Sequence, residues 1–260
     1  MSGSKIQRKE QLQFVLLEGT SSYQDVYELQ KRLIELRALC EVPDTVLILE
    51  HEPVITRGTG LQNVTGGQDR KMPLSPEISE NLDYFEIERG GDLTCHNPGQ
   101  LVIYPILDLS RDGFVTARNV TGLIRKLESL LIRVLEKKGI LSATRDKATG
   151  VWVNGQKVAS LGIAVRRWVS YHGIAINVVN DLGLFQSISP CGFSPDIMTR
   201  MQNLSPVIEE VQNSGWREWL TSEIISAWIE ASDLDFIYDT KRLPGVRRFQ
   251  AEGVPSPDSK

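Results

Sequence analysis

Apolar residues recur with two different periods along this chain. Residues 11–18 (QLQFVLLE) and 45–50 (TVLILE) are short apolar runs that predict strands, as do 83–90 (DYFEIERG) and 101–106 (LVIYPI). Between the first two, Val26, Leu29, Leu33, Leu36 and Leu39 recur at helical spacing after Ser22, which suits an N-cap. The clearest helix covers 119–139. Val120, Leu123, Ile124, Leu127, Leu130, Leu131 and Val134 form one stripe, and Gly139 ends it. A third helix spans 216–232, with Trp216, Trp219, Leu220 and Ile224 on one side. Asn154-Gly155, between two β-branched segments, is the strongest hairpin signal, and a further β segment follows Arg166-Arg167. Residues 61–82 are rich in Gly, Pro and Ser and predict a mobile loop.

No repeat or linker interrupts this pattern. Hairpins mixed with separate helices predict one α+β domain, a mostly antiparallel or mixed sheet with flanking helices. The expected boundaries are a flexible N-terminus over 1–10, a domain over 11–238 and a disordered tail over 239–260.

Composition narrows the function classes. A chain of 260 residues can bury roughly 70–75% of its unfolded surface, so a full core is available. With 41% apolar and 24% charged residues it is ordinary for a soluble globular protein. A net charge of −4 argues against a general nucleic-acid surface. No apolar run reaches a membrane-spanning length, and the first residues lack a signal peptide's features. Three widely spaced cysteines, Cys40, Cys95 and Cys191, point to a reducing cytoplasm and against a disulfide scaffold. Without CxxC or HExxH spacing, no metal site or cofactor is expected.

The candidate chemistry rests on two cysteines. Cys95 adjoins His96, but neighbours on an extended segment point to opposite faces, so Cys95 reads as a small buried hydrophobe. Cys191 lies in SISPCGFSP, where Pro190 and Gly192 make a tight turn that can expose a thiol; a plain turn with a half-buried Cys is the alternative. A thiol nucleophile needs a base or cation to lower its pKa from about 8.5. Lys157 is one candidate, unless it is simply a solvated strand lysine. His51, His96 and His172 are the others.

Three blocks together resemble the lipoyl(octanoyl) transferases. The first runs from Arg89-Gly90-Gly91 through Thr94, His96, Pro98, Gly99 and Gln100 to Tyr104-Pro105-Ile106 and Asp108-Leu109. The second holds Gly150–Val153, Lys157–Ile163 and His172–Val178, and the third is Pro190-Cys191-Gly192. The likeness covers residues 11–230 and implies a biotin/lipoate ligase-like fold. It implies an acyltransferase that takes octanoyl from octanoyl-acyl carrier protein as a thioester on Cys191, with Lys157 as base. The acyl group then passes to a lysine on lipoyl domains of 2-oxo-acid dehydrogenase subunits or on glycine cleavage H protein. For acyl binding it implies Arg89, Gly90, Gly91, Asp92, Leu93, Thr94, Cys95 and His96, with Ser160, Leu161 and Gly162, and Gly173, Ile174 and Ala175.

Asn97 departs from the family pattern, which has glycine there. The expectation is a positive φ at Asn97, tolerated by Asn and relieved by Asn97→Gly. Two other readings stay open. An ATP-dependent lipoate or biotin ligase would need an adenylate-binding loop, for which 56–60 (TRGTG) is a poor match. A non-catalytic carrier-protein binding module would fit only the Asn97 departure.

Overall fold

The computed structural model describes residues 11–60, 82–145, 148–186, 197–205, 215–232 and 237–244. Its centre is an eight-stranded mixed sheet. In chain order the elements begin with β1 (Gln11–Ser21), α1 (Tyr23–Ala38), β2 (Asp44–His51), β3 (Val54–Arg57), β4 (Asp83–Glu86), β5 (Leu93–His96) and β6 (Gln100–Ile106). They continue with α2 (Val120–Glu136), β7 (Ala143–Arg145), β8 (Ala148–Val153), β9 (Gln156–Arg166) and β10 (Val169–Asn177). The one-turn helices α3 (Gly183–Gln186) and α4 (Met201–Leu204), then α5 (Trp216–Ala231) and β11 (Ile237–Pro244), complete the set.

The large sheet has the order β11-β1-β2-β6-β10-β9-β8-β7. Its β1–β11 and β1–β2 pairs are parallel, and the rest are antiparallel. A second, three-stranded sheet has the order β4-β3-β5. The expected α+β class with a mixed sheet and flanking helices is what forms.

Both faces of the large sheet are covered, which is why its strands read as near-continuous apolar runs. Alternate residues of β1 serve opposite cores. Phe14 and Leu16 meet Leu123, Leu127 and Leu131 of α2 and Ile224 and Trp228 of α5, whereas Val15 and Leu17 meet Val26, Leu33 and Ile34 of α1. The α2 stripe is the one that the sequence shows, and Asn119 caps it, its Oδ1 accepting from the Gly122 N–H at 2.7 Å. Ser22 is the N-cap of α1, but its side chain makes no capping bond.

One boundary is corrected. The expected disordered tail from 239 is strand through Pro244, because β11 pairs in parallel with β1 from Gln11↔Ile237 to Glu18↔Pro244. A terminal segment with edge N–H and C=O groups to satisfy joins an open sheet edge readily, a tendency that residue composition does not show. The short strands β3, β5 and β7 also went unread, each being four residues or fewer. The predicted loop at 61–82 lies outside the described residues except for Leu82.

Candidate active site

Two segments, one of them far away in sequence, meet on β9. Gly162 of β9 pairs with Gly173 of β10, Leu161 with Ile174, and Ser160 with Ala175. The loop before β5 crosses β9 at this point: the Gly90 N–H donates to the Ile163 carbonyl at 3.2 Å. A Cβ on Gly162 would lie 2.6 Å from the Gly90 oxygen, and one on Gly173 would lie 2.1 Å from the Ile103 oxygen. Those two glycines are therefore required for contact between backbones. Of the loop, Arg89 and Gly90 reach this junction, where the Arg89 Cδ would lie 3.2 Å from a Gly162 Cβ, and so meet two of the other segments expected to bind the acyl group, 160–162 and 173–175.

The loop 58–60 holds 89–92 from outside. Gly58 N–H donates to Asp92 O, Thr59 N–H to Arg89 O and Gly60 N–H to Gly91 O. A Cβ at Gly58 or Gly60 would come within 2.5 or 2.8 Å of that backbone. The glycines of TRGTG thus serve close packing. Arg89 is buried; its Nη2 donates to the Thr56 carbonyl at 2.8 Å and to Thr56 Oγ1 at 3.0 Å. Burial raises the pKa of Asp92, with Arg89 opposing.

Strand β5 sorts its residues by face. Leu93 and Cys95 enter an apolar cluster with Ile55, Phe185 and Met198. Cys95 is fully buried and its thiol pKa is pushed up by desolvation, so it stays a thiol. Thr94 and His96 alternate with them, and the His96 ring lies stacked near Tyr23 of α1 with centroids 6.1 Å apart. Cys95 and His96 therefore face apart, as their adjacency on a strand requires. Leu93 and Cys95 support the loop from behind and do not join the junction at β9.

All three histidines gather in one buried aromatic group. His51 lies 5.5 Å from His96, and Tyr104 packs against both His51 and His172. Burial lowers the pKa of each, His51 to about 4 and His96 and His172 in the same direction. They are neutral at pH 7. His51 has both nitrogens engaged: Nδ1 donates to the Ser21 carbonyl and Nε2 accepts from the Tyr104 hydroxyl at 2.9 Å. A ring so occupied is not a free base. His172 has positive φ (54°), its N–H donates to Gln30 Oε1, and its Nε2 lies 4.0 Å from Glu88 Oε2, too far for a hydrogen bond.

Lys157 is not a solvated strand lysine. It is 5% exposed, its stem covers Gly150, where a Cβ would meet its Cε at 3.1 Å, and its Nζ lies 4.9 Å from the Trp152 ring centroid. Its carbonyl accepts from the Thr199 N–H at 3.0 Å, so residues 198–199 run alongside it. Cys191, with Pro190 and Gly192, lies outside the described residues.

Asn97 corrects the expectation of a positive φ. It is Gly99 that has positive φ (89°), with Asn180 close against it. Asn97 is buried and works through its side chain: Nδ2 donates to the Asp181 carbonyl at 2.8 Å and Oδ1 accepts from Asn180 Nδ2 at 3.1 Å. Other polar residues at the site had no assigned role in the sequence. Gln30 is a polar residue inside the apolar stripe of α1, and Asn177 interrupts GIAINVV; burial of such interruptions was the available signal. Among the described residues, no three His, Cys, Asp or Glu side chains are grouped to hold a metal ion, and no helix is long and apolar enough to cross a membrane.

The mixed sheet that carries the glycine-lined crossing over β9 and the buried lysine at the strand's start has the fold of solved lipoate ligases. Residues 22–225 match the family described as the lipoyl protein ligase A/B catalytic domain, and the chain belongs to it. Its relatives include an octanoyltransferase of Syntrophobacter fumaroxidans, 44% identical over 74% of this chain and 80% of that one. Another octanoyltransferase, from Caldicellulosiruptor bescii, is 40% identical over 72% and 79%. Among solved structures, a lipoate-protein ligase A bound with ATP superimposes with a TM-score of 0.60 at 14% identity, covering 89% of each chain. A bi-partite lipoate protein ligase from Thermoplasma acidophilum gives 0.61 at 14% identity, covering 89% of this chain and 87% of that one. At such identity these two show the fold alone.

Proposed function

We propose that this octanoyltransferase works in two steps through Cys191. Octanoyl transfer is the activity that the relatives' names give, and the glycine-lined junction of 89–90, 160–162 and 173–175 is the observation that carries the reading. In the first step the Cys191 thiolate attacks the thioester carbonyl of octanoyl-acyl carrier protein. The carrier thiol leaves with the proton that Lys157 had taken from Cys191, and a new thioester forms on Cys191. In the second step the amine of a lipoyl-domain lysine attacks that thioester. The Cys191 thiolate leaves, the amine passes a proton to Lys157, and an octanamide results. Exchange of one thioester for another is nearly even in energy, and amide formation is downhill, so neither step needs ATP.

Lys157 is the base or cation that keeps the thiol ionised. Its burial at the start of β9, with Met198 and Thr199 alongside, supports a lysine used in the reaction rather than one spread in solvent. The acceptors are lipoyl domains of 2-oxo-acid dehydrogenase subunits and glycine cleavage H protein, and the reaction belongs in the cytoplasm, where the cysteines stay reduced.

The test is transfer from octanoyl-carrier protein to a purified lipoyl domain without ATP. Peptide mass spectrometry then locates the acyl group. Octanoyl on Cys191, and none in Cys191→Ala, is expected. Acylation of Cys95 would discard the assignment, and strict dependence on ATP would restore the ligase reading.

A further inference from the structure

The motif residues Gln100 and Asn177 take no part in the two steps above, yet they are fully buried and bonded to one another. Their amides can be oriented from the backbone outward. A carbonyl oxygen only accepts, so the Asn177 group 3.0 Å from the Thr199 carbonyl is Nδ2. Turned over, Asn177 would set Oδ1 against that carbonyl, oxygen against oxygen. Its Oδ1 therefore faces Gln100 and accepts from Gln100 Nε2 at 2.9 Å. The same Nε2 donates to the Cys95 carbonyl at 3.2 Å, a second backbone oxygen that demands a donor. Gln100 Oε1 is left facing His96 Nδ1 at 2.6 Å. An amide oxygen also only accepts, so the proton of His96 sits on Nδ1.

We propose that Gln100 and Asn177 are positioning residues that hold His96 as its Nδ1–H tautomer, so that Nε2 meets the substrate as a hydrogen-bond acceptor. The chain has a second anchor. Asn180 Nδ2 donates to Asn177 Oδ1 at 3.2 Å and to Asn97 Oδ1 at 3.1 Å, and Asn97 in turn donates to the Asp181 carbonyl. Asn97, where the family pattern has glycine, thus reinforces the end of the chain that orients Asn177. The titratable groups around the His96 ring are Tyr23 of α1, His51 of β2, Arg89 of the preceding loop and His172 of β10. Burial and the neighbouring cation disfavour a second proton on the ring, in line with a lone pair kept free.

The consequence for substrate rests on the reading of 89–96 as part of the acyl pocket. An acceptor nitrogen suits a substrate group that brings a proton. The lysine amine of the acceptor domain is that group in the second step: one of its N–H bonds donates to Nε2, which turns the nitrogen lone pair toward the acyl carbon, and the ring stays neutral throughout. An anionic oxygen would be repelled.

The experiment is a long-range proton–nitrogen NMR spectrum of the whole chain with 15N-labelled histidine. The protein has three histidines, and His96 is assigned by its loss in His96→Gln. At pH 7 we expect a protonated, pyrrole-type Nδ1 and a pyridine-type Nε2 for His96. A proton on Nε2, or on both nitrogens, would overturn the proposal whether or not the chain transfers octanoyl. In Gln100→Glu the carboxylate still accepts from Nδ1 but no longer donates to Asn177 or Cys95. His96 should then take a second proton at a higher pH, and kcat for transfer to the lipoyl domain should fall about 10- to 100-fold with KM for the carrier nearly unchanged, less than the 10²–10⁴ that loss of a proton-transferring base would cost. Asn177→Asp loses the donor to Thr199 and sets a carboxylate oxygen against that carbonyl, so it should loosen Gln100 and alter the His96 signals; an unchanged spectrum there would remove Asn177 from the role. An unchanged His96 spectrum in Gln100→Glu would remove Gln100 from the role. If the tautomer is as stated but no transfer occurs with any donor, the functional reading fails and the structural one stands.

Discussion

Two hairpins follow one another in the sheet, and their turns are built from opposite materials. Both have two-residue loops with positive φ at each residue, the geometry of a type I′ turn. Between β8 and β9 the residues are Asn154 (φ 50°) and Gly155 (φ 83°), which occupy that region at little cost. Between β9 and β10 they are Arg167 (φ 53°) and Trp168 (φ 61°), each of which costs roughly 1–2 kcal/mol there. What holds the second turn is its surroundings. The Trp168 carbonyl accepts from the Leu109 N–H at 2.7 Å, Arg118 lies 5.0 Å over the Trp168 ring, and Arg167 pairs with Glu35 of α1. The first hairpin is set by its own residues and delivers Lys157. The second is set by its neighbours and delivers His172 and Gly173.

The two hairpins differ most at the ends of their strands. In the first hairpin, Lys157→Met keeps the buried stem and removes the charge. Octanoyl transfer should fall by about 10²–10⁴, with a thermal midpoint close to that of the parent. Near-normal transfer would reduce Lys157 to a packing residue.

In the second hairpin, Gly173→Ala should cost about 3 kcal/mol or abolish folding, because its Cβ would overlap the Ile103 carbonyl. Urea denaturation measures this, and a loss under about 1 kcal/mol would mean that β6 and β10 yield more easily than their spacing suggests.

Acid should act on the second hairpin and its neighbours before the first. His51 titrates near 6.5 when unfolded and at about 4 when folded, and His96 and His172 move the same way. Between those values the unfolded chain binds more protons, so stability falls as pH drops from about 6.5 through 4. The His51 contribution alone is on the order of 3 kcal/mol. Denaturation midpoints from pH 7 to 4 test the sign; a flat profile would mean that the rings are hydrated.

The turns themselves give the smallest effects and the sharpest contrast. Gly155→Ala should cost about 1 kcal/mol, since an alanine must take a positive φ. Arg167→Asn should be stabilising by about 0.5 kcal/mol or neutral, as better turn chemistry offsets the lost pair with Glu35. Equal losses in the two variants would erase the distinction between the hairpins.

Much of the fold was legible because it is written in local periods. The α2 stripe, the β1, β2 and β6 runs and the Asn154-Gly155 turn each declare their element within a few residues. The site was legible only as blocks of motif. Gly162 and Gly173 announce nothing by themselves; their need for glycine appears when Gly90 and Ile103 come to lie against them. Asn97 was misread for the same reason. An Asn in place of glycine suggests backbone freedom, whereas its side chain bonds to Asp181 and Asn180, more than eighty residues away.

By itself the sequence determined the class of the sheet, its principal helices, the burial expected of Cys95 and the family to which the chain belongs. Side-chain period and turn chemistry act over a few residues, and long motifs survive in linear order. The tertiary structure decided the β11 pairing, the αL turn at Arg167-Trp168, the burial of Lys157 and the gathering of three histidines into one neutral group. Each depends on which backbone carbonyl, ring or strand edge arrives from far along the chain, and on the desolvation that its arrival imposes.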